Sequence, residues 1–419
     1  MKRRVPLYAQ VLLGVGAGTL LGSLFGTRPY LFGAGNEQLG QLGLLVIRLL
    51  KALAAPLILF AILDAFVKTR LSARAGAKLV LICLVNVSVA FAIGLTILNV
   101  FQPGLAWRGH LPSAGDEGVP KVPGGASLDL LKNIAGYVPE SLVEPFLRNN
   151  VITIVLAGVL GGAALRRVRD RQEAEGRGSA AVLAAVVEAV YELLVVMLEW
   201  VVRVIPLAVL LVVAQVVGRS GLGVFRQLWV FLATILAGFV LHGLVYYTLV
   251  AWLVGRKSPR VYLGKGADAI ATGLSLNSSL ATVPVTLRCL SSMGVSPAAA
   301  RLSACVGTQL NNDGITLYEA MAALFIAQAY GFPLTLGEQV PVVLASLMAG
   351  AGIAGVPEAG LIVLPLVLAA AGLPETVVAA AIPLIFPVDW ILARCRSGVN
   401  VMSDMLVAIL LDRGGKLEE

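Results

Sequence analysis

The last apolar segment of the chain carries a stripe of polar and charged side chains. Asp389, Ala393, Arg396, Asn400 and Asp404 recur every three or four residues, so on a helix they share one face. A charged side chain at the centre of a bilayer costs about 2.5–3.5 kcal/mol, against about 0.3–0.6 kcal/mol gained per Leu or Ile. Partners or ligands must offset these charges, and such residues indicate a path for an ion or a substrate.

Two pairs of these side chains offer oxygen atoms that suit a small hard cation. Asp404 with Asn400, and Asp313 with Asn311, supply carboxylate and amide oxygens, and Gly314 follows the second pair directly. Backbone carbonyls of interrupted helices complete cation sites in transporters. The sequence therefore predicts that Na⁺ binds here.

The arginine in the stripe suits a different guest. The planar fork of Arg396 can hold a carboxylate through two parallel hydrogen bonds. Ser278 and Ser279, together with nearby backbone amides, could hold a second carboxylate, as the N-termini of helices do for anions. We therefore expect an anionic substrate carried together with cations. The alternative is structural: Arg396 pairs with Asp404 or Asp313 and holds helices together.

The composition places these residues in a polytopic membrane protein. Of the 419 residues, 58% are hydrophobic and 13% are charged, whereas soluble domains are about 45–50% apolar and about 25% charged. The net charge of +8 comes from basic residues beside apolar segments, where they set orientation and contact lipid headgroups. We expect a lipid bilayer as the environment, no nucleic acid partner and no organic cofactor.

Hydropathy predicts six helices before residue 256, and Lys and Arg predict their orientation. The helices are expected at 7–26, 39–67, 78–101, 127–165, 180–217 and 222–255. Intervals 1–6, 68–78, 166–178 and 255–265 hold three, four, five and four basic residues; intervals 26–38, 102–125 and 218–226 hold one, two and two. By the positive-inside rule the N-terminus is cytoplasmic, 102–125 is an external loop and 166–178 an internal loop.

After residue 256 the apolar runs become short and interrupted. Residues 275–286 (SLNSSLATVPVT) and 349–360 (AGAGIAGVPEAG) each read as a small-residue turn between two apolar arms, typical of a hairpin that enters the membrane and returns. A helix with polar groups follows each one, and the last brings the C-terminus back to the cytoplasm. Matching interruptions in two halves indicate an inverted-repeat transporter with its site between the repeats.

Four motifs in this order resemble one known family. They are 278–286, 307–314 ending in NNDG, 352–360 and 396–404 (RSGVNVMSD), and they look like the signature regions of the dicarboxylate/amino acid:cation symporters, the glutamate transporter homologues. The resemblance implies an all-α membrane fold of eight transmembrane helices and two re-entrant hairpins. It also implies a homotrimer in the cell membrane, in which a transport unit slides as an elevator against a scaffold.

The same resemblance divides the chain into five parts. Scaffold helices are expected in 1–77 and 126–221, the third helix with its external loop in 78–125, the sixth helix in 222–255, and the transport core in 256–419. The substrate-binding residues implied are Arg396, Asn400, Ser278, Ser279, Ala393, Ile315, Val356 and Gly360. The sodium ligands implied are Gly307, Asn311, Asp313, Asn400, Asp404 and Asn86, with Asp313 and the Asn311 side chain in the deeper of two sites.

One departure from the family pattern bears on the substrate. The resemblance implies that members of the family that carry amino acids have an aspartate at the position of Ala393. That aspartate pairs with the ammonium group of the substrate. A methyl group cannot pair with a cation, and an unpaired buried ammonium costs several kcal/mol. A C4 dicarboxylate such as succinate, fumarate or malate is therefore expected. A Na⁺-coupled carrier of aspartate or glutamate is the alternative.

Glu319 matches the position at which proton-coupled members carry a glutamate. A buried carboxylate can bind H⁺ and release it on reorientation, so Glu319 is the candidate for proton coupling; the alternative is an ion pair with Arg394. An intramembrane hydrolase is not expected, because the chain has no GxSxG elbow and no HExxH helix. An anion channel is the nearer rival to a carrier.

Overall fold

A computed structural model describes residues 7–68, 73–109, 141, 143–147, 151–176, 178–352 and 359–413. Over these residues the chain is built almost entirely from helices. The exception is a short antiparallel pair, β1 (Pro29–Leu31) and β2 (Ala34–Gly35). The all-α class expected from the sequence is confirmed.

Five of the six helices predicted before residue 256 begin and end within five residues of their expected bounds. The prediction for 127–165 differs from the structure. Part of this region lies outside the described residues. In the described part, a single turn at Glu144–Leu147 precedes a helix that begins at Val151. The helices are α1 (Leu7–Phe25), α2 (Asn36–Lys68), α3 (Ala73–Phe101), α4 (Val151–Ala174) and α5 (Ser179–Ser220).

The internal loop predicted at 166–178 is wrong for most of its length. Its charges do not break the helix, since acidic residues follow basic ones at a spacing of four and each pair lies on one helical face. A cluster of charged residues indicates where a helix leaves the bilayer. It does not indicate where the helix itself ends. The ion pairs along α4 and its end are Arg166–Asp170, Arg169–Glu173 and Arg171–Glu175, with N to O distances of 3.8, 3.4 and 2.9 Å.

The sixth helix contains a change of winding. It runs as an α-helix over Val224–Phe239, passes through a π-helical stretch over Val240–Tyr246, and resumes as an α-helix over Tyr247–Leu253. We call the three parts together α6. Wide π turns inside α-helices often occur at functional sites, because they change which side chains face a neighbour.

The second half consists of interrupted helices, as the sequence predicted. After a π-helical turn at Arg260–Gly264, the described helices are α7 (Lys265–Leu276), α8 (Ser279–Ser292), α9 (Pro297–Arg301), α10 (Asp313–Ala329), α11 (Gln339–Gly352), α12 (Ala359–Ala370) and α13 (Glu375–Asp412). A π turn and a 3₁₀ turn continue α9 to Gln309.

The first hairpin is tighter than its sequence suggested. The expected turn over 275–286 is wrong in extent, because only Asn277 and Ser278 separate α7 from α8. Asn277 ends α7 in the left-handed conformation (φ 52°), and the Ser278 hydroxyl caps α8 by accepting from the Ala281 amide at 3.2 Å. The tip of the second hairpin, 353–358, lies outside the described residues.

The helix α10 lies at the centre of the second half. Sixteen of its seventeen residues are buried, and it packs against α3, α6, α11, α12 and α13. A helix that is buried on all sides needs no polar face, so the carboxylate of Glu319 within it requires a separate explanation.

Four described helices are long and apolar enough to cross a bilayer. They are Gly76–Phe101, Ser179–Arg219, Leu228–Leu253 and Glu375–Asp412. Shorter apolar helices include both arms of the second hairpin, Gln339–Gly350 and Gly360–Ala370. Half-length arms of this kind are what a re-entrant hairpin requires.

Glycines spaced by four hold α1 against α5. A Cβ placed at Gly18 would lie 2.9 Å from the Val213 Cβ, and one placed at Gly22 would lie 2.8 Å from the Val217 Cβ. A Cβ at Gly16, on another side of the same helix, would meet no atom within 4 Å. Close helix contact in membranes depends on such small residues.

We therefore expect Gly18→Ala to destabilise the protein, and Gly16→Ala to leave it as stable as the wild type or slightly more stable, since alanine favours a helix over glycine. The added methyl group must push α1 from α5, and overpacking of this kind costs about 1–3 kcal/mol. Thermal unfolding of the two purified variants in the same detergent measures the difference. Equal melting temperatures for the two variants would contradict the packing described.

Candidate functional site

The stripe on α13 is buried along its whole length. Asp389, Ala393, Arg396, Asn400 and Asp404 are each at most 3% exposed. They contact α10, the break that precedes α10 and the start of α12. The structure thus brings together the residues that the sequence grouped by spacing.

The guanidinium of Arg396 is paired within its own helix. Nη1 and Nη2 donate to the two carboxylate oxygens of Asp389 at 3.1 and 3.2 Å, and the guanidinium carbon lies 4.1 Å from the centre of the Tyr318 ring. This bidentate geometry is the one that Arg uses for any carboxylate. The structural alternative, in which Arg396 pairs with Asp404 or Asp313, is wrong. The partner of Arg396 is Asp389, which lies two turns earlier on the same helix.

The second hairpin approaches this guanidinium with its backbone. Gly360, near the start of α12, is buried, and a Cβ placed there would overlap Nη1 of Arg396. Glycine at this position lets the main chain approach the charged group directly. Val356, also predicted to contact substrate, lies outside the described residues.

The tip of the first hairpin contacts α13 next to Arg396. The Ser397 hydroxyl donates to the Asn277 side-chain oxygen at 3.1 Å. Ser279 is buried, and its hydroxyl accepts from the Thr308 hydroxyl at 3.3 Å. Ser278 instead caps α8. The two predicted serines thus lie side by side at the tip of the first hairpin but make different hydrogen bonds.

Asn400 is fixed at both ends of its amide. Its oxygen accepts from the Gly314 backbone N–H at 2.8 Å, and its nitrogen donates to the Asn312 side-chain oxygen at 3.2 Å. The neighbouring Ile315 is buried, as is Ala393, so both positions contribute apolar surface.

The first predicted cation site is assembled around Asp404. Asn311 donates its side-chain amide to Asp404 Oδ1 at 3.3 Å. Gly307 lies in the break before α10, where its carbonyl oxygen accepts from the Leu310 and Asn311 amides at 2.8 Å. The chain is not helical at Asn311 and Asn312, and the Asn312 carbonyl accepts from the Thr316 amide and hydroxyl, each at 3.0 Å.

The second predicted cation site has neighbours that the sequence did not indicate. Asp313 Oδ2 accepts from the Tyr247 hydroxyl at 2.7 Å and the Ser403 hydroxyl at 3.0 Å, and the His242 Nε2 lies 3.5 Å away. Asn86, also among the predicted sodium ligands, accepts from the Tyr246 hydroxyl at 3.0 Å. Three residues of α6 thus belong to this region.

The sequence pattern alone does not indicate a site at these α6 residues. Tyr246 and Tyr247 lie near the end of an apolar run, where aromatic residues often meet the membrane interface, and His242 is a lone histidine within that run. In the structure Tyr247 and His242 are both 0% exposed and lie beside Asp313. The available signal was the clustering of His242, Tyr246 and Tyr247 in an otherwise apolar helix.

Glu319 is fully buried on α10. Among the described residues neither of its carboxylate oxygens has a hydrogen-bond partner. Arg394, the expected structural partner, instead donates to the Trp390 carbonyl at 3.1 Å.

Comparison with known proteins agrees with this architecture. The chain is 39% identical to excitatory amino acid transporter 3 of Mus musculus over 51% of this chain and 40% of that protein. It is 38% identical to excitatory amino acid transporter 1 of Bos taurus over 49% and 38% of the two chains. The matches to these two relatives thus span less than half of their length. A relative from Ambystoma tigrinum, excitatory amino acid transporter 1, is 28% identical over 88% of this chain and 76% of its own.

A family model covers nearly the whole sequence. The model described as the sodium:dicarboxylate symporter family matches residues 7–414, which include the stripe, both hairpin arms and the break before α10. The resemblance found from the four motifs is therefore confirmed, and the chain belongs to the sodium:dicarboxylate symporter family.

Proposed function

We propose that this protein is a Na⁺-coupled symporter of an acidic amino acid. The observation that carries the proposal is the buried guanidinium of Arg396, which is satisfied by one carboxylate and bordered by the backbone of Gly360. A guanidinium held this way can exchange Asp389 for a substrate carboxylate, or share its donors between the two, without being exposed to water. The names of the relatives, which are amino acid transporters, favour an acidic amino acid.

A C4 dicarboxylate is the second candidate, and one residue favours it. Ala393, 1% exposed, lies between Asp389 and Arg396 on the stripe and offers no charge for a substrate ammonium. An amino acid would need another counter-charge, for which Asp389 has lone pairs beyond the two used by Arg396. The relatives favour the amino acid over the dicarboxylate that Ala393 led us to expect.

The coupling ion is proposed to be Na⁺, held near Asp404 by oxygens of Asn311, Asn400 and Gly307. Carboxylate, amide and carbonyl oxygens are the ligands that hard cations prefer. The buried position of Asp404 fits this role, because a cation offsets the cost of a carboxylate in the membrane.

We also propose how the parts of the chain move. Residues 256–419, with 78–125 and 222–255, form a transport unit that carries substrate across the cell membrane as an elevator. Residues 1–77 and 126–221 form a scaffold through which three copies associate. Both termini are proposed to lie in the cytoplasm, in keeping with the distribution of Lys and Arg.

Exchange of labelled substrates in proteoliposomes distinguishes the two candidate substrates. The wild type is expected to exchange labelled aspartate against internal aspartate in the presence of Na⁺, whereas exchange restricted to succinate would establish the second candidate. We expect Ala393→Asp to raise the apparent affinity for aspartate relative to succinate by about tenfold or more, because one added ion pair of about 1.4 kcal/mol has that effect.

Ala393→Asn is the matched control for this test. It has nearly the same shape as Ala393→Asp but carries no charge, so its preference between aspartate and succinate should stay close to that of the wild type. An equal shift in both variants would contradict a role for charge at this position.

Glu319 provides a separate prediction about protons. At fixed Na⁺, an inward proton gradient should accelerate uptake by the wild type, because a proton bound to the buried carboxylate moves inward with the substrate. Glu319→Gln, which keeps the shape of the side chain, should take up substrate at a rate independent of the gradient. Uptake of labelled substrate with and without an imposed gradient measures this. Identical responses in the two proteins would remove Glu319 from the coupling.

A further inference from the structure

We propose that α6 closes the deeper of the two expected Na⁺ sites by supplying hydrogen-bond donors in place of the ion. His242, Tyr246 and Tyr247 would then be residues that determine ion specificity and stoichiometry. The inference rests on the proposed function, since it concerns how many Na⁺ ions that function uses.

The first observation is the crowding of donors at one oxygen of Asp313. The hydroxyls of Tyr247 and Ser403 reach Oδ2 at 2.7 and 3.0 Å, and His242 Nε2 lies 3.5 Å from the same atom. A carboxylate oxygen has two lone pairs, and the hydroxyls of Tyr247 and Ser403 take both when Ser403 donates to Asp313. A cation could bind to Oδ2 only by displacing one of them.

The side-chain oxygens of Asn311 and Asn86, which are also predicted to bind sodium, lie next to hydroxyl groups as well. The side-chain oxygen of Asn311 accepts from the Ser403 hydroxyl at 2.9 Å, and that of Asn86 accepts from the Tyr246 hydroxyl at 3.0 Å. A cation needs these oxygens to point their lone pairs at it. The single hydrogen of the Ser403 hydroxyl can go to Asn311 or to Asp313 but not to both, whereas Asn86 and Asp313 each receive a hydrogen from a tyrosine of α6.

The winding of α6 explains how one helix reaches two acceptors on different elements. His242 and Tyr246 lie in the π-helical stretch and Tyr247 begins the following α-helix. The His242 ring is stacked on Tyr246, with centroids 5.2 Å apart, and meets Tyr247 edge-on at 4.5 Å. The three rings thus form one packed cluster, which fixes the donors toward α3 and α10 together.

The chemistry of the donors also suits a buried carboxylate. Hydrogen bonds donated to a carboxylate stabilise its charged form in place of solvent or a counter-ion. Neutral hydroxyl groups do so without adding a mobile charge to the transport unit. Asp404 Oδ1 accepts from the Asn311 amide at 3.3 Å, a longer and weaker contact than the 2.7 Å bond from Tyr247 to Asp313, so Asp404 is the carboxylate that we expect to bind the coupling ion.

The test is the number of Na⁺ ions carried with each substrate molecule. In proteoliposomes, the membrane potential at which net flux is zero depends on this ratio and not on the charges fixed in the protein. We expect Asp313→Asn to keep the wild-type ratio, because its oxygen can still accept the hydrogen bonds. A ratio lower by one Na⁺ in Asp313→Asn would overturn the inference.

Equilibrium binding of ²²Na⁺ gives a second measurement that needs no transport. Asp404→Asn protein, which retains Asp313 and all three α6 residues, is expected to bind no Na⁺ at concentrations that saturate the wild type. A Na⁺ ion retained by folded Asp404→Asn protein would overturn the inference. A wild type that binds Na⁺ but shows no Na⁺-driven uptake of any acidic substrate would contradict the proposed function alone.

Discussion

A charge inside the lipid-spanning body must meet an opposite charge or a set of hydrogen bonds, and this constraint shapes the second half of the protein. Arg396 is almost fully buried, and its two terminal nitrogens donate to Asp389 beneath the Tyr318 ring. Removing one partner of such a pair leaves a buried charge at a cost of several kcal/mol. Both charges are paired in this arrangement. A substrate carboxylate that displaced Asp389 from the guanidinium would therefore leave the Asp389 carboxylate in need of another partner.

The interruptions in the helices supply what continuous helices cannot. At the break before α10 and at the tip of the first hairpin, the side chains of Asn311, Asn312 and Asn277 bond to residues of α13. These breaks converge on α13, where Ser397 contacts the tip of the first hairpin and Asn400 contacts Gly314. The residues predicted to bind substrate and the residues that contact the first hairpin therefore lie within the same few turns of α13.

The sequence predicted the parts of this site that depend on spacing along one helix. The stripe from Asp389 to Asp404 needed only the helical period and the cost of charge in lipid, and the structure buries all of it. The sequence could not predict that Arg396 pairs with Asp389, because Asp404 on α13 and Asp313 on α10 are carboxylates that could pair with the guanidinium in the same way. The hairpin tip at Asn277 was located correctly, but its length depends on cap geometry that composition does not encode.

The clustering of His242, Tyr246 and Tyr247 is visible in the sequence, but the partners of these side chains are not. Tyr246 and Tyr247 lie near the end of an apolar run, where aromatic residues usually meet the membrane interface. A π-helical turn changes which residues point inward, and no periodicity assumed for an α-helix can reveal it. The distant contacts to Asn86 and Asp313 exist only once α3, α6 and α10 are packed together.

The central claim is that the Arg396 guanidinium binds a carboxylate of the transported substrate. The most direct measurement compares Na⁺-driven uptake of acidic substrates by wild type, Asp389→Asn and the double variant Arg396→Ala with Asp389→Asn, which removes both charges and leaves neither unpaired. The account predicts that Asp389→Asn retains binding of acidic substrate while the double variant loses it and still binds ²²Na⁺. Equal uptake of acidic substrate by the double variant and the wild type would contradict the account.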